Sequence, residues 1–188
     1  MTQLDDIAVL VLAAGLSRRY GEGEKLLAPL AGKPLALHIA ETLAAMPFHR
    51  KLAVRKEAGD ELGRGLAGLG FQVLVNPEPE MGQGHSLALG AKAAVGSRAL
   101  VVCLADMPYV TRGDVEALVE AWRADPERPV GSRAGGYFGV PAIFPAPVFA
   151  ELMELSGDHG ARGLLRDAGE VAVEAGHLRD FDRVDDFG

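Results

Sequence analysis

Residues 7–15 read IAVLVLAAG, apolar at every position until the run closes on glycine, and ALVVCL at 99–104 repeats the pattern. A strand with one wet face alternates apolar and polar residues. A strand apolar on both faces must be covered on both sides, which is the condition of a central strand in a parallel sheet. Between and after these runs the chain alternates. The spacing predicts helices over 33–46, 57–69, 84–95, 112–124, 148–155 and 161–168, and strands at 51–55, 71–75 and 171–175. Pro34 suits a first helical position, and Thr111 with Asp114 three residues later reads as a capping box. Strand and helix alternating through short connections imply an α/β fold with a mostly parallel central sheet and helices on both faces. Right-handed crossovers then gather the loops that follow the strands on one edge, where ligands bind. The Gly- and Pro-rich stretch 126–147 breaks the alternation and reads as an insertion or a substrate-facing lip holding one or two strands. No repeat or linker divides the 188 residues, so a single domain over 1–188 is expected.

Charge narrows the partners. A net charge of -7 argues against nucleic acid or an anionic membrane as the main partner, because phosphate binding by surface charge needs a basic face. One cysteine, Cys103, cannot form an internal disulfide, and it lies within an apolar strand as a small core residue. The acidic start MTQLDDIAVLVL lacks the positive region of a signal peptide and is too short to span a bilayer, so a cytoplasmic protein is expected.

The first apolar run is followed by GLSRRYGEGEK, in which Gly15, Gly21 and Gly23 stand among Arg18, Arg19 and Lys25. Backbone N–H groups and cations in one loop can converge on a polyanion such as a triphosphate; a solvated turn is the plainer reading. The spacing is not that of a Walker A loop, since Gly32 and Lys33 are followed by Pro34, and neither Gly21 with Gly23 nor Gly82 with Gly84 completes a dinucleotide fingerprint. Two carboxylate segments bear on the choice. Asp106 in CLADMP comes just after the second buried strand and could hold Mg²⁺ or simply cap a turn. The tail DFDRVDDFG crowds Asp180, Asp182, Asp185 and Asp186, one of which could be a second metal ligand. The segment 76–86, NPEPEMGQGHS, adds Asn76, Gly82, Gly84 and Ser86 near a helix start, where free N–H groups and side-chain donors could bind a nucleotide. His85 there is read as a binding or capping residue. The five histidines show no zinc-ligand spacing.

Taken in order, LAAGLSRRYGxxxKLL, NPEPEMGQGHSLALGA, CLADMP, GVPAIF, GDHGARGLL and DFDRVDDF resemble the motifs of the molybdopterin nucleotidyltransferase family, and most of all its molybdenum cofactor cytidylyltransferase branch. The resemblance spans residues 7–187. It implies a Rossmann-like nucleotidyltransferase fold, Mg²⁺, CTP as donor, and transfer of CMP to the terminal phosphate of molybdopterin or the molybdenum cofactor with release of pyrophosphate. It places Leu12, Ala13, Ala14 and Gly15 at base and sugar, Arg19 and Lys25 at the triphosphate, and Asp106 with Asp182 at the metal. It also implies a molybdenum hydroxylase, or its maturation factor, as recipient of the product. His159 and Arg162 could meet the acceptor or cap a helix.

Such a reaction joins two anions, so it is catalysed by charge neutralisation and in-line positioning, for which Arg19, Lys25 and Asp106 are suitable groups. A phosphate acceptor is already ionised, which removes the need for a general base. Guanylyl-transferring relatives tend to carry LAGG where this chain has LAAG, and the Cβ of Ala14 narrows the space for a base in favour of a pyrimidine. Two positions depart from the family: Val140 stands where a histidine is common, and Arg183-Val184 replaces a Thr-Pro pair. The competing readings are a GTP-dependent guanylyltransferase, a sugar-phosphate nucleotidyltransferase and a non-catalytic cofactor carrier.

Overall fold

The computed structural model describes residues 4–16, 20, 23–158 and 160–187. In chain order its elements are β1 (Ile7–Leu12), a hairpin of β2 (Pro29–Leu30) and β3 (Lys33–Pro34), α1 (Leu35–Ala44), β4 (Arg50–Arg55), α2 (Glu61–Gly68) and β5 (Gln72–Val75). They continue with α3 (Gly82–Ala93), β6 (Ala99–Leu104), α4 (Arg112–Ala124), β7 (Val130–Ala134), β8 (Tyr137–Pro145), α5 (Phe149–Met153) and β9 (Gly169–Ala172).

Seven strands form one sheet in the order β5-β4-β1-β6-β8-β7-β9. The two apolar runs are neighbours at its centre, paired in parallel from Ile7 opposite Ala99 to Leu12 opposite Leu104. Each is buried on both faces because helices cover both. Ile7, Val9 and Val11 share a core with Ile39 and Leu43 of α1, Leu62 and Leu66 of α2, and Val115, Leu118, Val119 and Trp122 of α4. Ala8, Leu10 and Leu12 share the opposite core with Leu87 and Ala91 of α3 and Phe149 and Leu152 of α5. The α4 residues recur at helical spacing, and each such side chain taken fully out of water contributes roughly 1.5–3 kcal/mol. The Thr111–Asp114 capping box is present: Thr111 Oγ1 accepts from the Asp114 amide at 3.2 Å and Asp114 Oδ2 accepts from the Thr111 amide at 2.8 Å. Among the described residues no helix is long and apolar enough to cross a membrane.

Several boundaries differ from the sequence reading. The stretch 126–147 holds the two strands expected of it, and its residues 137–140 line a cavity, but it is no insertion: β7 and β8 form a hairpin inside the main sheet, with β8 antiparallel to β6 from Ala99–Pro145 to Val102–Ala142. Lys33 and Pro34 belong to β3 rather than to the first helix. The β2–β3 turn places Ala31 and Gly32 at φ 48° and 85°, and Pro34 then precedes α1 in an extended conformation (ψ 136°). The second helix starts at Glu61, not 57, because the Asp60 carboxylate accepts the Gly63 amide at 2.6 Å and caps it there. The helix expected at 161–168 shrinks to a 3-10 turn, Arg162–Leu165, since its own Gly163 and the flanking Gly160 and Gly169 disfavour continuation. The last strand pairs at Gly169–Ala172 with β7, earlier than 171–175.

Candidate functional site

β4 and β5 lie to one side of β1, whereas β6 and everything after it lie to the other. The chain thus reverses its direction of travel across the sheet between β1 and β6, and a crevice opens there beyond the carboxyl ends of the strands. A cavity of about 390 Å³ occupies that crevice. Leu12, Ala14, Gly15 and Leu16 line it from the end of β1, Gly82, Gln83 and Ser86 from the start of α3, and Leu104 and Asp106 from the end of β6. Lys25, Glu80, Asp158 and Asp182 add further charged groups to the wall. A Cβ built on Gly15 would meet no atom of the described residues within 4 Å.

Lys25, Asp106 and Asp182, separated by 81 and 76 residues, meet at one point. Lys25 Nζ donates to Asp106 Oδ2 at 2.7 Å and to Asp182 Oδ1 at 3.0 Å. The lysine is buried, 8% exposed. Burial alone would lower its pKa, but the two carboxylates outweigh that and hold it above the usual lysine value. The tail reaches this point through its backbone. Phe181 donates its amide to the Asp106 carbonyl at 3.1 Å, and Asp186 Oδ2 accepts the amides of Asp182 and Arg183 at 2.8 and 2.7 Å. Asp186 is thereby engaged as a local cap, and those two bonds hold its carboxyl below the ordinary value. Asp106 Oδ1 is buried with no hydrogen-bond partner among the described residues. An orphaned carboxylate oxygen beside a second carboxylate suits a hard cation, with Asp106 and Asp182 as protein ligands. Among the described residues no group of three or more His, Cys, Asp or Glu is placed to hold a metal, so ligand oxygens would have to complete such a shell.

The other expected positions divide. Ala14, Gly15, Leu12, Gly82 and Ser86 line the cavity; Ala13, Asn76 and Gly84 do not. Ala13 is fully buried and Asn76 is 0% exposed, its amide donating to Ser86 Oγ at 2.9 Å and its Oδ1 accepting the Glu78 amide at 2.9 Å. Gly84 gives its amide to the Gly157 carbonyl at 2.8 Å, and Gly157 returns one to Met81 at 2.8 Å. Asn76 and Gly84 therefore brace the rim that Gly82 and Ser86 present. Cys103 is a core residue, its thiol pushed up to about 12 by burial. Arg18, Arg19, Gly21 and His159 lie outside the described residues.

Sequence reasoning missed two features. Arg55, at the end of β4, is fully buried, with Nη1 donating to the Ala13 carbonyl and to Glu24 Oε1, both at 2.6 Å, and Nη2 to Asp60. An arginine closing an apolar strand was the only available signal. A second cavity, about 170 Å³, adjoins the first through Gln83 and Leu104 and is lined also by Tyr137, Val140, Arg162 and Asp180. Tyr137 donates its hydroxyl to the Val140 carbonyl at 2.7 Å, and burial, followed by the nearby Asp180 charge, pushes its pKa up to about 12.

A doubly covered, mostly parallel sheet with its cavity at the β1–β6 reversal defines a Rossmann-like nucleotidyltransferase fold. The chain belongs to the family of the MobA-like NTP transferase domain, whose model matches residues 9–173. It is 33% identical to the purine catabolism protein PucB of Bacillus subtilis (strain 168), across 94% of this chain and 91% of that one. The probable molybdenum cofactor guanylyltransferase of Natronomonas pharaonis is 30% identical over the same shares, 94% and 91%. Among solved structures, a homologue of Mycobacterium tuberculosis Rv0371c from Mycobacterium sp. strain JC1 superposes with a TM-score of 0.81 at 27% identity, covering 98% of this chain and 94% of its own.

Proposed function

We propose that this protein transfers CMP from CTP to the terminal phosphate of molybdopterin, or of the molybdenum cofactor, and releases pyrophosphate. The observation that carries the reading is the buried Lys25 held between Asp106 and Asp182 on the wall of the reversal-point cavity. In the reaction an acceptor phosphate oxygen bonds to the α-phosphorus while the bond from that phosphorus to the bridging oxygen of the β-phosphate breaks, and pyrophosphate carries away the charge. Lys25, together with Arg19, offsets charge on the donor phosphates and the leaving group. Backbone at Ala14 and Gly15, with Gly82 and Ser86 opposite, holds base and sugar. Asp106 and Asp182 would hold Mg²⁺, which when bound supplies Lewis-acid polarisation of the phosphoryl oxygens. The second cavity suits the acceptor because it adjoins the first through Gln83 and Leu104.

Ala14 supports CTP: it is 3% exposed yet lines the cavity, so its methyl group narrows the space left for a base. The likeness to the Natronomonas protein supports a molybdopterin-type acceptor and favours GTP as the second reading for the donor. The test is pyrophosphate release with Mg²⁺ and purified molybdopterin, comparing CTP, GTP and ATP. Turnover confined to CTP is expected, with Lys25→Ala and Asp106→Asn lowering kcat by about two orders of magnitude or more while the fold survives. Turnover with GTP alone would overturn the base assignment, and cofactor binding without pyrophosphate release from any nucleotide would make the protein a carrier.

A further inference from the structure

Both rims of the main cavity are fastened to one residue. Arg55 closes β4, opposite Val75 of β5, and its side chain is 0% exposed. Its guanidinium reaches the Ala13 carbonyl, where the chain leaves β1, and Glu24 Oε1, which directly precedes Lys25. One planar group thus ties together the two ends of the loop that separates β1 from Lys25. Its other terminal nitrogen donates to Asp60, the cap of α2, so the group is itself anchored to a helix. The Arg55 backbone serves the opposite rim: its carbonyl accepts the Asn76 amide at 2.7 Å, and Asn76 in turn holds Ser86 of α3.

We propose that Arg55 is a positioning residue that sets the geometry of the cavity, fixing Lys25 against Asp106 and Asp182 by clasping both ends of the basic loop. It does not line the cavity, so it acts through the residues it holds. The fork is essential to the role. Arginine spans three acceptors in fixed directions, whereas a lysine is a point charge that can favour only one or two of them. After loss of the clasp Glu24 keeps its 3.7 Å pair with Lys56 and Asp60 its bond from the Gly63 amide, and water reaches both because their side chains are 21% and 23% exposed, so release of the loop does not require the sheet to open.

The consequence for nucleotide handling rests on the proposed function, but the loop geometry does not. The experiment compares Arg55→Lys with the wild type by amide hydrogen exchange in the free protein, thermal melting, and equilibrium binding of Mg·CTP. Leu118→Ala, a core change in α4, serves as a control for general destabilisation. Arg55→Lys is expected to speed exchange about tenfold across residues 13–28 while β6 and α4 stay protected, and to weaken CTP binding by about the same factor. Leu118→Ala should lower the melting temperature without either change. If Arg55→Lys fails to fold, Glu24→Ala removes the Glu24 end of the clasp, along with the 3.7 Å pair between Glu24 and Lys56, leaves Arg55 bonded to Ala13 and Asp60, and should speed exchange around Lys25. Exchange at 13–28 that matches the wild type, or an equal effect from Leu118→Ala, would overturn the proposal. If the wild type binds no nucleoside triphosphate, the proposed function fails and the exchange comparison still decides the role of Arg55.

Discussion

Asp60 carries two duties that pH can separate. Its Oδ1 caps α2 by accepting the Gly63 amide, and its Oδ2 pairs with the buried Arg55. Partial burial works against its charge, but the Gly63 bond and then Arg55 outweigh that and hold its pKa below the ordinary aspartate value of 3.8. A carboxyl depressed in the folded state contributes stability above the unfolded value, and that contribution fades as pH falls through the folded one. Asp60→Asn keeps a competent cap and removes the charge. It should cost about 1–2 kcal/mol at pH 7 by chemical denaturation, and the gap from the wild type should close as pH drops below 3.8. At this scale the sequence was uneven. Lys25 and Asp106 stood out because the loop and the CLADMP segment that hold them resemble the motifs of one family; taken singly, a solvated turn and a turn cap were open readings. Arg55 did not, because its three acceptors lie 5, 31 and 42 residues away, and no local pattern links them.

At the scale of elements, the start of α3 is set by close approach. Gly82 has φ 86°, and a Cβ there would come within 2.4 Å of the Gly157 carbonyl carbon. Backbone cannot yield as a flexible side chain would. Gly82→Ala should therefore destabilise the protein by roughly 2–4 kcal/mol in a thermal or urea melt. It should also separate the 156–157 segment from the rim of the cavity. The sequence placed a helix here but began it at 84, since a glycine pair looks like loop until its packing partner is known. The same limit governs the β7–β8 hairpin. Gly- and Pro-rich composition reads as irregular chain, yet β8 is held by ladder bonds to β6, a strand more than thirty residues earlier. Helix α4 was legible with its limits because its apolar period and its capping box are both local.

For the whole molecule, the C-terminal segment completes the polar site from the far end of the chain. Phe181 is 1% exposed and packs at a tilt against Tyr109 and edge-to-face against Phe187, with ring centroids 5.7 and 5.1 Å away, which seats the neighbouring Asp182 against Lys25. Phe181→Ala should cost about 3–5 kcal/mol in a denaturant melt. Nucleotidyl transfer should fall further than the folded fraction does, because Asp182 loses its seat while Asp106 keeps its own. The sequence by itself pointed to the class of fold, because two runs apolar on both faces, alternating with helical periods through short connections, fit the middle of a sheet covered on both sides. It also determined that the loop after the first strand and the acid after the second would share an edge, which right-handed crossovers require. Only the tertiary structure decided that Lys25 lies between Asp106 and Asp182, that Asn76 and Gly84 brace the rim without lining the cavity, and that Arg55 fastens the loop. Hydrophobic periodicity is written in consecutive residues, whereas a salt bridge across 157 positions exists only once the chain has closed on itself.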